Sequence, residues 1–204
     1  MRGFFIVLEG IDGVGKTTQA KILARKLRQQ GREVVEVREP GGTQLGEAIR
    51  ELLAREEELA PWAETCLFLA SRAQLVEEVI KPALAQGKIV VGDRFSLSTL
   101  AYQGGARGLG VDRLAQLNSW VTGGLEPDLT LVIDLKVEEA LARGKGDLRE
   151  EIRQKLEIVR ERYLSLAKER AGKVLVVSGQ GSVEEVSGRI WTLVEEALAR
   201  WPSG

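Results

Sequence analysis

The chain has no histidine among its 204 residues and a single cysteine, Cys66. Without histidine there is no imidazole general base, no phosphohistidine intermediate and no His-ligated metal. One cysteine allows no intrachain disulfide and points to a reducing compartment. Cys66 lies in the apolar helical stretch Thr65-Cys66-Leu67-Phe68-Leu69 and is read as core. No apolar run approaches the roughly 20 residues of a membrane span, and no signal peptide opens the chain. The formal charge of −1 excludes a general attraction to polymeric nucleic acid or to an anionic membrane. The expectation is a soluble, cytoplasmic protein forming one domain over 1–204, large enough to bury a core without staples.

What is present is a phosphate loop. The apolar run Phe4-Phe5-Ile6-Val7-Leu8-Glu9 leads into Gly10-Ile11-Asp12-Gly13-Val14-Gly15-Lys16-Thr17, followed by Thr18. This is G-x-x-x-x-G-K-S/T between a candidate buried strand and a helix. Glycines let successive backbone N–H groups turn toward an anion, and the following helix adds its positive dipole end. Lys16 can reach the β/γ phosphates, and the Thr17 hydroxyl can ligate Mg²⁺. The motif predicts binding of a nucleoside triphosphate.

Beyond the loop, apolar residues at helical spacing predict a helix from Thr17 to Gln30, a short one around Leu45 to Leu53, and a long one from Pro61 to about Leu84. Further helices are read from about Ser96, over Val111 to Val121, and on either side of the charged break Arg143 to Glu151. The last opens at Ser182, with Glu185 three residues on in a capping-box pattern, and runs to about Arg200. Strands fall at Val34–Val37, Ile89–Val91, Leu129–Leu135 and Val174–Val177. Five short apolar strands alternating with helices predict an α/β fold: a P-loop-type, five-stranded parallel sheet covered by helices on both faces. Ligands gather at the carboxyl ends of such strands, where Gly10, Glu39, Asp93, Asp134 and Ser178 stand.

Asp93-Arg94 follows a short strand. A carboxylate there can hold water on Mg²⁺ coordinated by Thr17, and the guanidinium can grip a phosphate. Phe68 and Arg72, four residues apart, share a helix face, where ring and guanidinium suit a base and its edge; Phe68 alone reads more readily as core. Ser98 with Tyr102, and Thr99 with Gln103, make similar pairs, read either as a nucleoside pocket or as a solvated helix face.

At these residues the chain resembles the bacterial thymidylate kinases, which transfer the γ-phosphoryl of ATP to dTMP. The matching segments are FIVLEGIDGVGKTTQA, REPGGTQLGEAIRELL, CLFLASRAQLVEEVIKPAL, VVGDRFSLSTLAYQGGARGL, EPDLTLVIDL and RERYLSLA, in order over nearly the whole chain. The resemblance implies that Gly10, Ile11, Asp12, Gly13, Val14, Gly15, Lys16, Thr17 and Thr18 hold ATP, and that Asp12 approaches the acceptor sugar and phosphate. It implies that Arg50 and Arg94 grip the dTMP phosphate, with Glu39 and Ser98 beside the pocket. Phe68 would stack on thymine, with Arg72, Thr99 and Gln103 at its polar edge and Tyr102 against the sugar.

With glycine at position 13, the resemblance implies that the transition-state cation comes from a lid at about 142–151, ARGKGDLREE, with Arg149 favoured over Arg143 and Lys145 a weaker candidate. Lys16, Arg94, Asp93 and Asp12 complete the catalytic set. ATP and Mg²⁺, a homodimer and no polymeric partner are likewise implied. The rivals are a nucleoside monophosphate kinase for another base and a P-loop switch. The chain has no N-K-x-D guanine-reading motif, and Asp12 stands where partitioning ATPases need a second lysine. Ser178-Gly179-Gln180-Gly181 reads as a loop near adenine.

Overall fold

In the computed structural model of the chain, which describes residues 2–55, 59–143 and 150–201, five strands form one sheet. They are β1 (Phe4–Glu9), β2 (Val34–Arg38), β3 (Ile89–Asp93), β4 (Leu129–Asp134) and β5 (Val174–Ser178). Their order is β2-β3-β1-β4-β5, and every pair is parallel. Alternation along β1 explains its unbroken apolar run. Phe4, Ile6 and Leu8 enter one core cluster while Phe5 and Val7 enter another, so both faces are covered. The expected sheet is the observed one.

The helices are α1 (Lys16–Gln29), α2 (Gln44–Leu53), α3 (Pro61–Leu75), α4 (Lys81–Ala85), α5 (Ser96–Thr99), α6 (Val111–Thr122), α7 (Val137–Arg143), α8 (Glu150–Glu169) and α9 (Val183–Ala199). Thr43 caps α2 by accepting the Gly46 N–H at 2.9 Å, and the Ser182–Glu185 capping box of α9 is formed.

Two helices differ from expectation. The long helix from Pro61 is interrupted by a π turn, Val76–Ile80, between α3 and α4. Pro82 supplies the reason: it has no N–H, and its ring would meet the carbonyl one turn back, so the backbone widens just before it. The helix from Ser96 becomes a π segment at Leu100–Ala106. Within it Gly104 and Gly105 let α6 and α8 close in; added Cβ atoms would lie 3.3 Å from Val111 and 3.2 Å from Arg162. Cys66 is exposed rather than core. The buried side of α3 is Thr65, Leu69, Arg72 and Leu75, and Cys66 lies off that side; apolar composition alone does not say which face turns inward.

Candidate active site

The chain turns from β1 into α1 through the phosphate loop, and two of its glycines are required by close packing. Gly10 (φ 136°) sits where a Cβ would lie 2.6 Å from the Ile133 carbonyl oxygen, and Gly13 (φ 85°) where it would lie 2.1 Å from that of Ala140. The α7 backbone therefore closes position 13 to any side chain. Ile11 and Val14 are buried in the core and anchor the loop. Lys16 is buried, its Nζ donating to the Ile11 carbonyl at 2.8 Å. Burial, and next the positive charge of Arg94, push its ammonium down from 10.5 to about 7. Thr17 Oγ1 donates to Asp93 Oδ2, so the start of α1 and the end of β3 meet at one hydroxyl and one carboxylate. Among the described residues no cluster of three or more His, Cys, Asp or Glu could hold a metal by itself. A hydroxyl and a carboxylate beside a phosphate cradle suit Mg²⁺, which keeps waters and takes phosphate oxygens.

Arg94 is the only non-glycine residue with positive φ among the described residues, at 72°, a left-handed conformation uncommon for a side-chain-bearing residue. Its backbone N–H is held by the Leu8 carbonyl at 3.0 Å. Its guanidinium donates to Asp12 Oδ1 (2.6 Å), Ser98 Oγ (2.9 Å) and the Gly10 carbonyl (3.2 Å). Behind it lies a buried carboxylate that the sequence reading missed. Glu9 accepts the Phe95 N–H (2.8 Å), the Ser98 hydroxyl (2.6 Å) and the Tyr163 hydroxyl (2.9 Å). The available signal was an acidic residue ending an otherwise wholly apolar run.

Three cavities join along the carboxyl ends of β1, β2 and β3. The first, of about 200 Å³, is walled by Phe68, Arg72, Thr99, Tyr102, Gln103 and Glu64, with Pro40 and Ser98 at its margin. It shares Asp12, Glu39 and Arg94 with the second, of about 420 Å³, which adds Lys16, Thr17, Asp93, Arg38 and Arg50. The second shares Gly13, Gly15, Thr18 and Arg143 with the third, which reaches Gln19, Gly181, Ser182 and Val183. One cleft thus runs from an aromatic-walled cavity, past the loop, to the start of α9. Phe68 belongs to neither core cluster, and Arg50 reaches the cleft with Nη1 on the Pro40 carbonyl at 3.0 Å.

Arg72 is 1% exposed, and its five N–H donors are all engaged by protein: Glu39 Oε2 through Nε and Nη2 (2.8 and 2.5 Å), the Phe95 carbonyl (3.0 Å), Thr99 Oγ1 (2.8 Å) and Asn118 Oδ1. A base edge at this guanidinium shares a donor rather than finding a free one. Burial raises the Glu39 carboxyl above its ordinary 4.5 despite Arg72, and among the described residues its Oε1 has no partner.

Not every expectation converges on the cleft. Asp134 is taken by Arg160, at 2.7 and 3.0 Å, and neither it nor Ser178 lines the three cavities. Arg143 donates to the Gly179 (2.9 Å) and Gly181 (3.3 Å) carbonyls, which ties it to the loop before α9. Lys145 and Arg149 lie outside the described residues. Glu64, Arg38 and Asn118 were missed; only Glu64 had a signal, one helical turn before Phe68.

A parallel sheet with a phosphate loop at its central strand and a two-ended cleft above it defines a P-loop kinase fold. A family model for thymidylate kinase matches residues 8–190. The chain is 49% identical over 197 residues to a thymidylate kinase of Synechococcus sp. (strain JA-2-3B'a(2-13)), covering 95% of each chain. It is 45% identical over 203 residues to one from Caldanaerobacter subterraneus subsp. tengcongensis, covering 97% and 98%. The crystal structure of the thymidylate kinase from Ehrlichia chaffeensis superposes with a TM-score of 0.80 at 34% identity, over 95% of this chain and 100% of that one. The chain belongs to the thymidylate kinase family.

Proposed function

We infer that the chain transfers the γ-phosphoryl group of ATP to dTMP, giving dTDP and ADP. The observation that carries this reading is the continuous cleft: a cavity walled by the aromatic rings of Phe68 and Tyr102 and by polar side chains such as Gln103 opens directly onto the phosphate loop. A switch protein needs a donor site alone; a second, base-sized cavity in line with it suits an acceptor nucleotide.

The acceptor is a phosphate oxygen. A phosphomonoester has its second pKa near about 6, so at neutral pH it is already largely a dianion and needs no general base, consistent with a chain lacking histidine. What must be overcome is repulsion between two anions. Lys16 and the loop N–H groups take the donor phosphates, Arg94 and Arg50 hold the acceptor phosphate, and Asp12 orients Arg94 and the sugar end. Phe68 stacks on the base, Thr99, Gln103 and Arg72 meet its edge, and Tyr102 and Glu39 border the sugar. Thr17 and, through water, Asp93 would hold Mg²⁺, which would supply charge neutralisation to the phosphates. A lid at about 142–151 of this single domain would supply the transition-state cation. The engagement of Arg143 by the loop before α9 favours Arg149 over Arg143 as the lid arginine of the transition state.

The homodimer is supported by apolar residues left exposed on α2, α3 and α6, namely Leu45, Leu52, Trp62 and Trp120, with α3 packed between the other two. A cytoplasmic location agrees with the absence, among the described residues, of a helix long and apolar enough to cross a membrane. The test is ADP release measured across nucleoside monophosphates: stoichiometric release dependent on dTMP is expected, and release without any acceptor, or a purine preference, would refute the reading.

A further inference from the structure

On the far wall of the base cavity, one turn before Phe68 and two before Arg72 on α3, stands Glu64. Its Oε1 accepts the Gln103 amide N–H at 2.7 Å, and its Oε2 accepts Arg107 Nη2 at 2.5 Å. A carboxylate only accepts, whereas the two ends of a glutamine amide are donor and acceptor. Contact with Glu64 therefore fixes which way the Gln103 amide faces: turning it over would set its carbonyl oxygen against the carboxylate. Gln103 is buried, and among the described residues its Oε1 has no hydrogen-bond partner. With the nitrogen turned to Glu64, the oxygen is the end a ligand in this cavity meets.

We propose that Glu64 is a specificity-determining positioning residue. By holding the Gln103 amide with its oxygen toward the base, it makes the cavity accept the N3–H of a thymine-type imide and refuse the N3 lone pair of cytosine. The proposal rests on the dTMP kinase reading and deepens it. Cytosine offers an acceptor at N3 and an amino donor at the neighbouring carbon, the reverse of thymine. It would face an acceptor with its own acceptor, and its amino group would face the Arg72 guanidinium. Sites that match a hydrogen-bonding edge in this way discriminate strongly because the wrong ligand leaves buried polar groups unpaired.

The experiment compares kcat/KM for dTMP and dCMP in the wild-type chain, Glu64→Gln and Glu64→Asp. The introduced glutamine can present either end of its own amide, so Gln103 becomes free to turn; the dTMP:dCMP ratio should fall by about tenfold or more. The change should sit in KM, because Glu64 lies away from the phosphates. Glu64→Asp keeps an acceptor-only group and should retain most of the preference. An unchanged ratio in Glu64→Gln, or an equal fall in both variants, would overturn the proposal. Gln103→Met removes both amide ends without touching Glu64 and serves if Glu64→Gln does not fold. It should lower the ratio as well, and an unchanged ratio there would also overturn the proposal. A wild-type chain that phosphorylates dTMP and dCMP equally refutes this inference alone, whereas one inactive on dTMP refutes the kinase reading and this inference with it.

Discussion

Replacing Arg72 by methionine keeps most of the side-chain volume but removes the charge partner of Glu39, whose side chain is 3% exposed. Five donors disappear from Glu39, Thr99, Asn118 and the Phe95 carbonyl, and Glu39 Oε1 is already without a partner among the described residues. Breaking a buried pair from one side costs about 3–5 kcal/mol, because the remaining charge is left desolvated. For a chain of this size that lowers Tm by roughly 6–20 °C.

The pH dependence has a definite sign. Burial holds the folded Glu39 carboxyl above 4.5 even with Arg72 present, and losing Arg72 raises it further. A folded-state pKa raised above the unfolded one contributes stability that is fully present below the unfolded value. That contribution is lost as pH rises through the folded value. The variant's deficit should therefore be smaller near pH 5 than near pH 8. Urea denaturation of wild type, Arg72→Met and the double variant Arg72→Met/Glu39→Gln at both pH values is the assay. The double variant should recover much of the loss, since neutralising both partners removes the stranded charge. A deficit below about 1 kcal/mol, flat with pH, would refute the reasoning, because that is the range of an exposed pair.

Lys16, brought down to about 7 in the free protein, must be protonated to hold a triphosphate. ATP binding should take up a proton, and its affinity should weaken as pH rises above about 7; calorimetry in buffers of different ionisation enthalpy would detect the uptake, and its absence would contradict the assignment. Phe68→Ala should weaken dTMP binding by about 1–3 kcal/mol and leave ATP affinity unchanged, as read by separate titrations. Arg149→Ala should reduce turnover by about 10³–10⁵ with little change in ATP affinity, while Arg143→Ala should chiefly weaken ATP binding; the reverse pattern in single-turnover kinetics would exchange their roles.

The phosphate loop and the five strands are legible in the sequence because their causes are local. Glycine, lysine and threonine at fixed offsets make an anion cradle wherever a strand feeds a helix, and unbroken apolar runs between turn signals have few uses other than doubly covered strands. The pairing of Phe68 with Arg72 follows from helical spacing for the same reason. Whether the partners of such a pair face a ligand or each other's neighbours is another matter. Arg72 needed an anion, but that Glu39, 33 residues away, supplies it depends on the segment after β2 being brought against α3. Glu9 reads as the last residue of a strand until Ser98 and Tyr163 close over it. Cys66 reads as core until the register of α3 turns it outward. Sequence determined the backbone geometry and the chemistry each residue can offer; the tertiary structure alone decided which charges lost their water, because desolvation depends on everything packed around a group and not on its neighbours in the chain.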